Sequence, residues 1–150
     1  MKLLPLSLVL AWVTALSPTG NNILKLGFNA GYKPSDPTLV DYIQGVHIRV
    51  RQLNEQNSTL ITSDSRVALN FMNHEFDPSV TIQNAISIMN DGAVVAIGAG
   101  YSSRTILSSL IWQTAKIPQC DGYASNPSLS NKATYVILFN KAKLFSYLSN

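Results

Sequence analysis

The chain has 150 residues, 46% of them hydrophobic and 13% charged, which is room for one domain of ordinary size and excludes a disordered chain. Eleven basic and eight acidic residues leave a net charge of +3, yet no run of Lys and Arg stands out, so a nucleic-acid partner is not expected.

The first stretch, MKLLPLSLVLAWVTALSPTG, places Lys2 before an apolar run from Leu3 to about Leu16, with Ala15, Ser17, Thr19 and Gly20 at its end. That is the layout of a secretory signal peptide, and the run is too short to span a bilayer comfortably. Residues 1–20 are therefore read as a leader cleaved between Ala15 and Gly20, with a buried N-terminal strand or helix as the alternative. No later stretch is long and apolar enough for a membrane helix.

Ile23 to Ala30 (ILKLGFNA) reads as the first strand and runs into the loop GYKPSD. Asp36-Pro37 supplies an N-cap and a proline at the first helical position. Leu39, Ile43, Val46, Val50 and Leu53 then fall on one face of an amphipathic helix. Asn57-Ser58-Thr59 follows in a polar segment and is a glycosylation acceptor at Asn57, in keeping with export; Asn126-Pro127-Ser128 is disqualified by its proline.

Arg66 to Phe76 is the second strand, and Asp77-Pro78 repeats the capping device. Ile82, Ala85, Ile86 and Met89 are the expected buried face of the second helix, which Asn90-Asp91-Gly92 ends. Ala93 to Gly98 is the third strand, apolar throughout as in a strand covered on both faces. The next helix is read from about Ser103 to Lys116, with Leu107, Leu110, Ile111 and Thr114 on one side and Ile117-Pro118 as its stop. Gln119 to Ser125 (QCDGYAS) is a weaker fourth strand, and carries Cys120. As the sole cysteine, Cys120 has no internal disulfide partner and is buried, reactive, or missing its mate.

Strands alternating with helices imply parallel pairing and right-handed crossovers, hence an α/β fold with a doubly wound sheet. In such sheets ligands bind beyond the carboxyl ends of the strands, where the strand order reverses. With the first strand between the second and third, the crevice is bounded by NAGYKP and GAGYSS, with YASN beside them.

The segment VAIGAGYSSRT (Val95 to Thr105) carries the chemistry. Glycines let the chain turn sharply, and the unpaired N–H groups and dipole of a helix N-terminus favour an anion there. Four readings compete. GAGYSS departs from a dinucleotide fingerprint in having Ser103 at the third glycine, and in following the third strand rather than the first. GYSSR departs from a nucleophile elbow in having Arg104 at the last glycine, and both histidines, His47 and His74, lie upstream of Ser102. A third reading is a seat for a small carboxylate or similar polar group, with Ser102 and Ser103 as hydroxyl donors. The fourth is that either serine is only a helix cap. His47 and His74 read as a partly exposed helix residue and a strand-end polar group, and no cluster has metal-ligand spacing, so neither metal nor cofactor is expected.

The run from Ala93 to Tyr135 closely resembles the amino-terminal lobe of the receptor ligand-binding region family. The matching features are Gly98, Ser102-Ser103, Ile117-Pro118, Tyr123-Ala124-Ser125 and Leu129-Ser130. The segments ILKLGFNA, the helix after Pro37, and FDPSVTIQNAISIMNDG fit the family's order of elements, so the resemblance spans roughly Ile23 to Tyr135. The family has the type I periplasmic-binding-protein fold. It includes the Venus-flytrap domains of class C G-protein-coupled receptors, natriuretic-peptide receptors and ionotropic glutamate receptors.

The resemblance implies a partial lobe one over residues 21–135, without catalytic chemistry, on the extracellular side of a membrane. It implies that Ser102 and Ser103, next to Tyr101, hold a ligand's α-carboxylate, and that Ala124, Ser125 and Asn126 meet its α-amino group. The sequence departs from the amino-acid-binding pattern at Tyr101, in place of a small residue, and at Asn126, in place of Thr or Ser. The implied partners are a small polar ligand such as an amino acid, a second lobe with membrane segments, and a second copy meeting it through lobe one. After Tyr135 the sequence leaves the family's pattern, so residues 136–150 are expected to be a divergent tail of a truncated product. Secreted solute binding is the alternative function, and a serine esterase using Ser102 a further one.

Overall fold

The computed structural model describes residues 22–33, 39–55 and 65–140. The leader at 1–20, the Asp36-Pro37 cap, Asn57 and the last ten residues of the predicted tail lie outside the described residues. In chain order the elements are β1 (Asn22–Ala30), α1 (Val40–Glu55), β2 (Ser65–Asn73), α2 (Pro78–Asn90), β3 (Val95–Ala99), α3 (Ser102–Thr114), β4 (Gln119–Asp121), a 3-10 turn (Pro127–Ser130) and β5 (Leu138–Asn140).

The five strands form one parallel sheet in the order β2-β1-β3-β4-β5. Strand β1 therefore sits between β2 and β3, the arrangement assumed in placing the crevice, and the direction of winding reverses there. Ala30 is level with Asn73 of β2 and with Ala99 of β3. Three strands thus end at one height, and the loops that leave them emerge side by side.

Each helix follows from local chemistry. The Asp77 carboxylate accepts from the N–H groups of Ser79 (2.7 Å) and Val80 (3.1 Å), and Pro78 occupies the first turn, where its missing N–H costs nothing. Helix α1 buries Val50 and half-buries Ile43, Val46 and Leu53, and Leu39 just before it is buried too, the face its periodicity predicts. Trp112 of α3, fully buried, donates its indole N–H to the Ala85 carbonyl of α2 at 3.0 Å and anchors a core with Ala85, Ile88, Ala93, Ala96 and Ile117. A smaller core of Ala124, Leu129 and Leu138 lies beyond β4.

Three expectations need correction. Helix α2 buries Thr81, Asn84, Ala85 and Ile88, while Ile86 is 41% exposed. The helix is rotated because Ile88 packs onto Gly27, where a Cβ atom would lie 2.1 Å from its Cγ2, and because Asn84 reaches inward to Asn29 (3.3 Å). Asn29 in turn donates to the Thr81 carbonyl at 3.0 Å, so the buried amides satisfy one another.

Helix α3 likewise turns Thr105, Ser108, Ser109 and Trp112 inward and leaves Leu110 48% exposed and Thr114 exposed. Small side chains let it approach the sheet closely. The hydroxyls of Ser108 and Ser109 are satisfied by carbonyls of the preceding turn, at 3.2 and 2.9 Å, so burying them costs little.

The last correction concerns the sheet's far edge. The fourth strand stops at Asp121 rather than Ser125, because the Asp121 carboxylate accepts from the N–H groups of Tyr123 (2.9 Å) and Ala124 (3.0 Å) and turns the chain. Leu138–Asn140, in the segment read as a tail, adds a fifth strand beside β4 and buries Leu138.

Candidate functional site

Four loops meet at the carboxyl edge of the sheet: Gly31–Lys33 after β1, His74–Asp77 after β2, Gly100–Tyr101 after β3, and Gly122–Asn126 after β4. Asn73 fastens the first two. Its side chain accepts from Tyr32 N–H (2.8 Å) and donates to Tyr32 carbonyl (2.9 Å).

The β3 turn is built for tight approach. Gly98 has φ +103, and a Cβ there would fall 1.9 Å from the Asn29 carbonyl oxygen. No side chain could replace that hydrogen, which explains the first glycine of GAG. Gly100 then donates its N–H to the Asp121 carboxylate at 3.1 Å. Thr105 Oγ1 donates to the same Asp121 oxygen. Asp121, 2% exposed, thus accepts from Gly100, Thr105, Tyr123 and Ala124, and welds the α3 turn to the loop after β4.

Helix α3 begins at Ser102 with Tyr101 as its N-cap residue, and no side chain caps it. The Tyr101 carbonyl accepts from Arg104 N–H (2.9 Å) and Thr105 N–H (2.8 Å). The N–H groups of Ser102 and Ser103, at the first two helical positions, have no acceptor among the described residues, which is the electrostatic condition for an anion site.

The expectation that a serine serves only as the cap is therefore not met. Ser102 Oγ instead accepts from Asn126 N–H at 3.1 Å, and Ser103 Oγ accepts from the Arg104 guanidinium at 3.2 Å. A hydroxyl that accepts from the protein keeps its own hydrogen to donate outward. Both serines can thus donate from Oγ as well as from the backbone.

The other predicted contacts divide. Asn126 and Ser125 are exposed beside Ser102, but the Asn126 side-chain carbonyl accepts from Ser128 N–H (2.9 Å) and caps the 3-10 turn. Ala124 faces inward with Leu129 and Leu138, and its N–H is spent on Asp121. Tyr101 is half-buried, its ring between Phe76 (centroids 5.4 Å) and Tyr123 (6.5 Å).

Several residues here lie outside the sequence-level site. Phe76 adopts φ +62, a left-handed backbone costing about 1–2 kcal/mol for a residue with a Cβ. It is held there from both ends: Arg104 donates to its carbonyl through Nε (3.1 Å) and a terminal nitrogen, and its N–H donates to His74 Nδ1 (3.1 Å). His74, fully buried, donates from Nε2 to the Ala99 carbonyl at 3.0 Å, so both ring nitrogens are used by the neutral imidazole. Burial, and then the nearby Arg104 charge, lower its pKa, while the bond to Ala99 opposes them. Lys33 Nζ lies 5.9 Å from the Phe76 ring centroid.

The Tyr42 hydroxyl is buried, and burial followed by the Asp121 charge raises its pKa against the opposing Gly122 backbone N–H, so it stays protonated. Sequence periodicity does not flag any of these groups. Only the paired Asp-Pro cap beside Phe76 and the Asp-Gly turn after Cys120 mark their loops.

A serine nucleophile has no support in this geometry, since His74 has no nitrogen to spare for Ser102. Among the described residues no group of three His, Cys, Asp or Glu could hold a metal ion, and no helix is long and apolar enough to cross a membrane. Cys120 is exposed, which removes the buried alternative for it.

No family model and no curated protein matches the sequence. Solved structures do match the fold. An ABC transporter substrate-binding protein from Desulfitobacterium hafniense is 18% identical, with a TM-score of 0.67 over 79% of this chain and 34% of that one. The branched-chain amino acid transporter substrate-binding protein LivJ from Streptococcus pneumoniae, in complex with isoleucine, is 14% identical, with a TM-score of 0.66 over 79% and 33%. A solute-binding protein of an ABC transporter from Rhodopseudomonas palustris, in complex with 3,4-dihydroxybenzoic acid, is 15% identical, with a TM-score of 0.63 over 79% and 31%. The chain spans about a third of the length of these proteins. The fold is that of a type I periplasmic-binding-protein-like lobe, in part, and these neighbours are binding proteins rather than enzymes.

Proposed function

We propose that this chain is a solute-binding lobe that seats the carboxylate of a small ligand on the N-terminus of α3. The observation that carries this reading is the pair of unaccepted N–H groups at Ser102 and Ser103, flanked by two serine hydroxyls that keep their hydrogens. Ser125 and Asn126 stand beside Ser102 to meet the other polar end of the ligand. The bound isoleucine and dihydroxybenzoate of the neighbours, both carboxylates, agree with that chemistry.

A receptor role is the finer version of the same reading. The Ala93–Tyr135 motif supports it, and it adds a second lobe, a dimer contact through this lobe and a membrane-coupled effector such as that of a class C G-protein-coupled receptor. Closure of two lobes is a known way to turn such binding into a signal. Transport-type solute binding stands ahead, because the neighbours are transporter components. Either role puts the protein outside the cytoplasm, with residues 1–20 as leader and Asn57 as the glycosylated residue.

Thermal unfolding of the chain against a panel of amino acids and aromatic acids tests the reading. A binder raises the midpoint with the logarithm of the ligand excess over Kd, and Ser102→Ala weakens binding about tenfold. A panel without any shift in midpoint contradicts the assignment.

A further inference from the structure

We propose that the turn from His74 to Asp77 is a proton-operated latch on the candidate site, closed while the His74 imidazole is neutral and opened when it takes up a proton. Release of ligand in acid rests on the binding-lobe reading above, whereas the opening itself does not. Glu75 and Phe76 are consecutive residues at φ +49 and +62, a left-handed run that residues with a Cβ avoid unless they are held. Asn73 Oδ1 accepts from Glu75 N–H at 3.0 Å, and His74 Nδ1 accepts from Phe76 N–H at 3.1 Å. The Phe76 carbonyl accepts from Nε and a terminal nitrogen of Arg104, whose guanidinium also donates to Ser103 Oγ at 3.2 Å.

His74 is the member of this turn that titrates near neutral pH. Its Nε2 donates to the Ala99 carbonyl at 3.0 Å, so Nδ1 accepts from Phe76 only in the neutral ring. A proton on Nδ1 sets two N–H groups against each other. Gly31, after β1, leaves the ring little room to turn aside, since a Cβ there would lie 2.6 Å from the imidazole Cε1. Burial disfavours the imidazolium most, and the charge of Arg104, from α3, adds to it. Glu75 and Asp77 on the turn are exposed, as is Lys33, whose Nζ lies 5.9 Å from the Phe76 ring centroid. The N–H groups of Val80 and Ser79 hold the Asp77 carboxyl below its usual range, so it keeps its charge as His74 titrates. In the open turn the imidazole returns to its ordinary pKa of about 6.5, so the open form binds more protons. Each pH unit below that value multiplies its share by up to about tenfold, until the lowered closed value is reached. Opening withdraws the Phe76 carbonyl from Arg104, and with it the anchor that presents the guanidinium to Ser103 Oγ.

Hydrogen exchange of the 15N-labelled full chain between about pH 7 and 5.5 tests the latch at Phe76 N–H. The expected result is protection that falls by up to about tenfold per unit below pH 6.5 and is unchanged by low urea, as a local opening requires. Ala96 N–H, bonded to the Pro118 carbonyl at 2.9 Å, is the control whose exchange responds to urea. Leucine keeps its carboxylate ionised over this range, and its affinity should fall toward the acid end. His74→Asn retains an acceptor for Phe76 N–H and takes up no proton, so it should level that fall. Exchange at Phe76 that ignores pH, or that only follows Ala96 in urea, overturns the latch without recourse to a variant and leaves the binding lobe standing. Leucine affinity that holds or rises in acid overturns the latch's link to the site. If leucine binds at no pH, the binding-lobe reading falls, and the exchange alone upholds or overturns the latch.

Discussion

The backbone N–H of Asn126 donates to Ser102 Oγ at 3.1 Å, across 24 residues of chain. It joins the start of α3 to the loop after β4, the two segments a ligand at this edge would touch. The bond also fixes the polarity of Ser102. With its oxygen engaged as an acceptor, the hydroxyl hydrogen remains available to a partner outside.

Beneath that contact Asp121 holds the same two segments, and Thr105 is its buried partner. Thr105→Val keeps the shape and removes the hydroxyl, leaving the carboxylate short of one donor. We expect a loss of about 1.5–3 kcal/mol in denaturant unfolding, the range for a hydrogen bond to a charged group. A loss below half a kilocalorie would mean the carboxylate is satisfied without Thr105.

The pH dependence of stability follows from His74. Its pKa is lowered in the folded state, chiefly by burial, while in the unfolded chain it returns to its ordinary value of about 6.5. Below that pH the unfolded state binds more protons, so stability is full above about pH 6.5 and falls as the pH drops toward the lowered folded value. Protonation also puts a hydrogen on Nδ1, where Phe76 N–H now donates. Unfolding midpoints measured from pH 8 to 5 should decline for the native chain, and decline less over that window for His74→Gln.

Trp112 is the other fixed point of the fold, fully buried against α2. Trp112→Ala should cost about 3–5 kcal/mol, the range for emptying a large aromatic site. Trp112→Phe keeps most of the volume and should cost less, losing the bond to the Ala85 carbonyl. Equal melting of the two variants would show that volume is not what α3 contributes.

Much of this fold was legible from spacing alone. The alternation of strand and helix and the Asp77-Pro78 cap follow from local rules, whereas the place of β1 between β2 and β3 is only assumed from sequence and is fixed by the sheet. The helix faces did not. Hydropathy assigned Ile86 and Leu110 to the core, yet α2 buries Asn84 on Asn29, and α3 buries serines that bond their own helix. Both depend on polar groups satisfied in three dimensions, which a hydrophobic period cannot register. The site divides in the same way. Ser102 and Ser103 stood out because glycine, serine and a helix start coincide in sequence. Asp121 is joined to Thr105 and Phe76 to Arg104 by hydrogen bonds spanning 16 and 28 residues. Ala124, expected at the ligand, has its methyl group in the core because the Asp121 turn draws its N–H inward.

The most direct test compares leucine with leucinamide in amide spectra of the 15N-labelled chain. The account predicts that the carboxylate moves the Ser102 and Ser103 amide resonances downfield, and that the amide, lacking the charge, leaves them in place. Equal effects from both compounds, or none from either, would contradict a carboxylate seat at the start of α3.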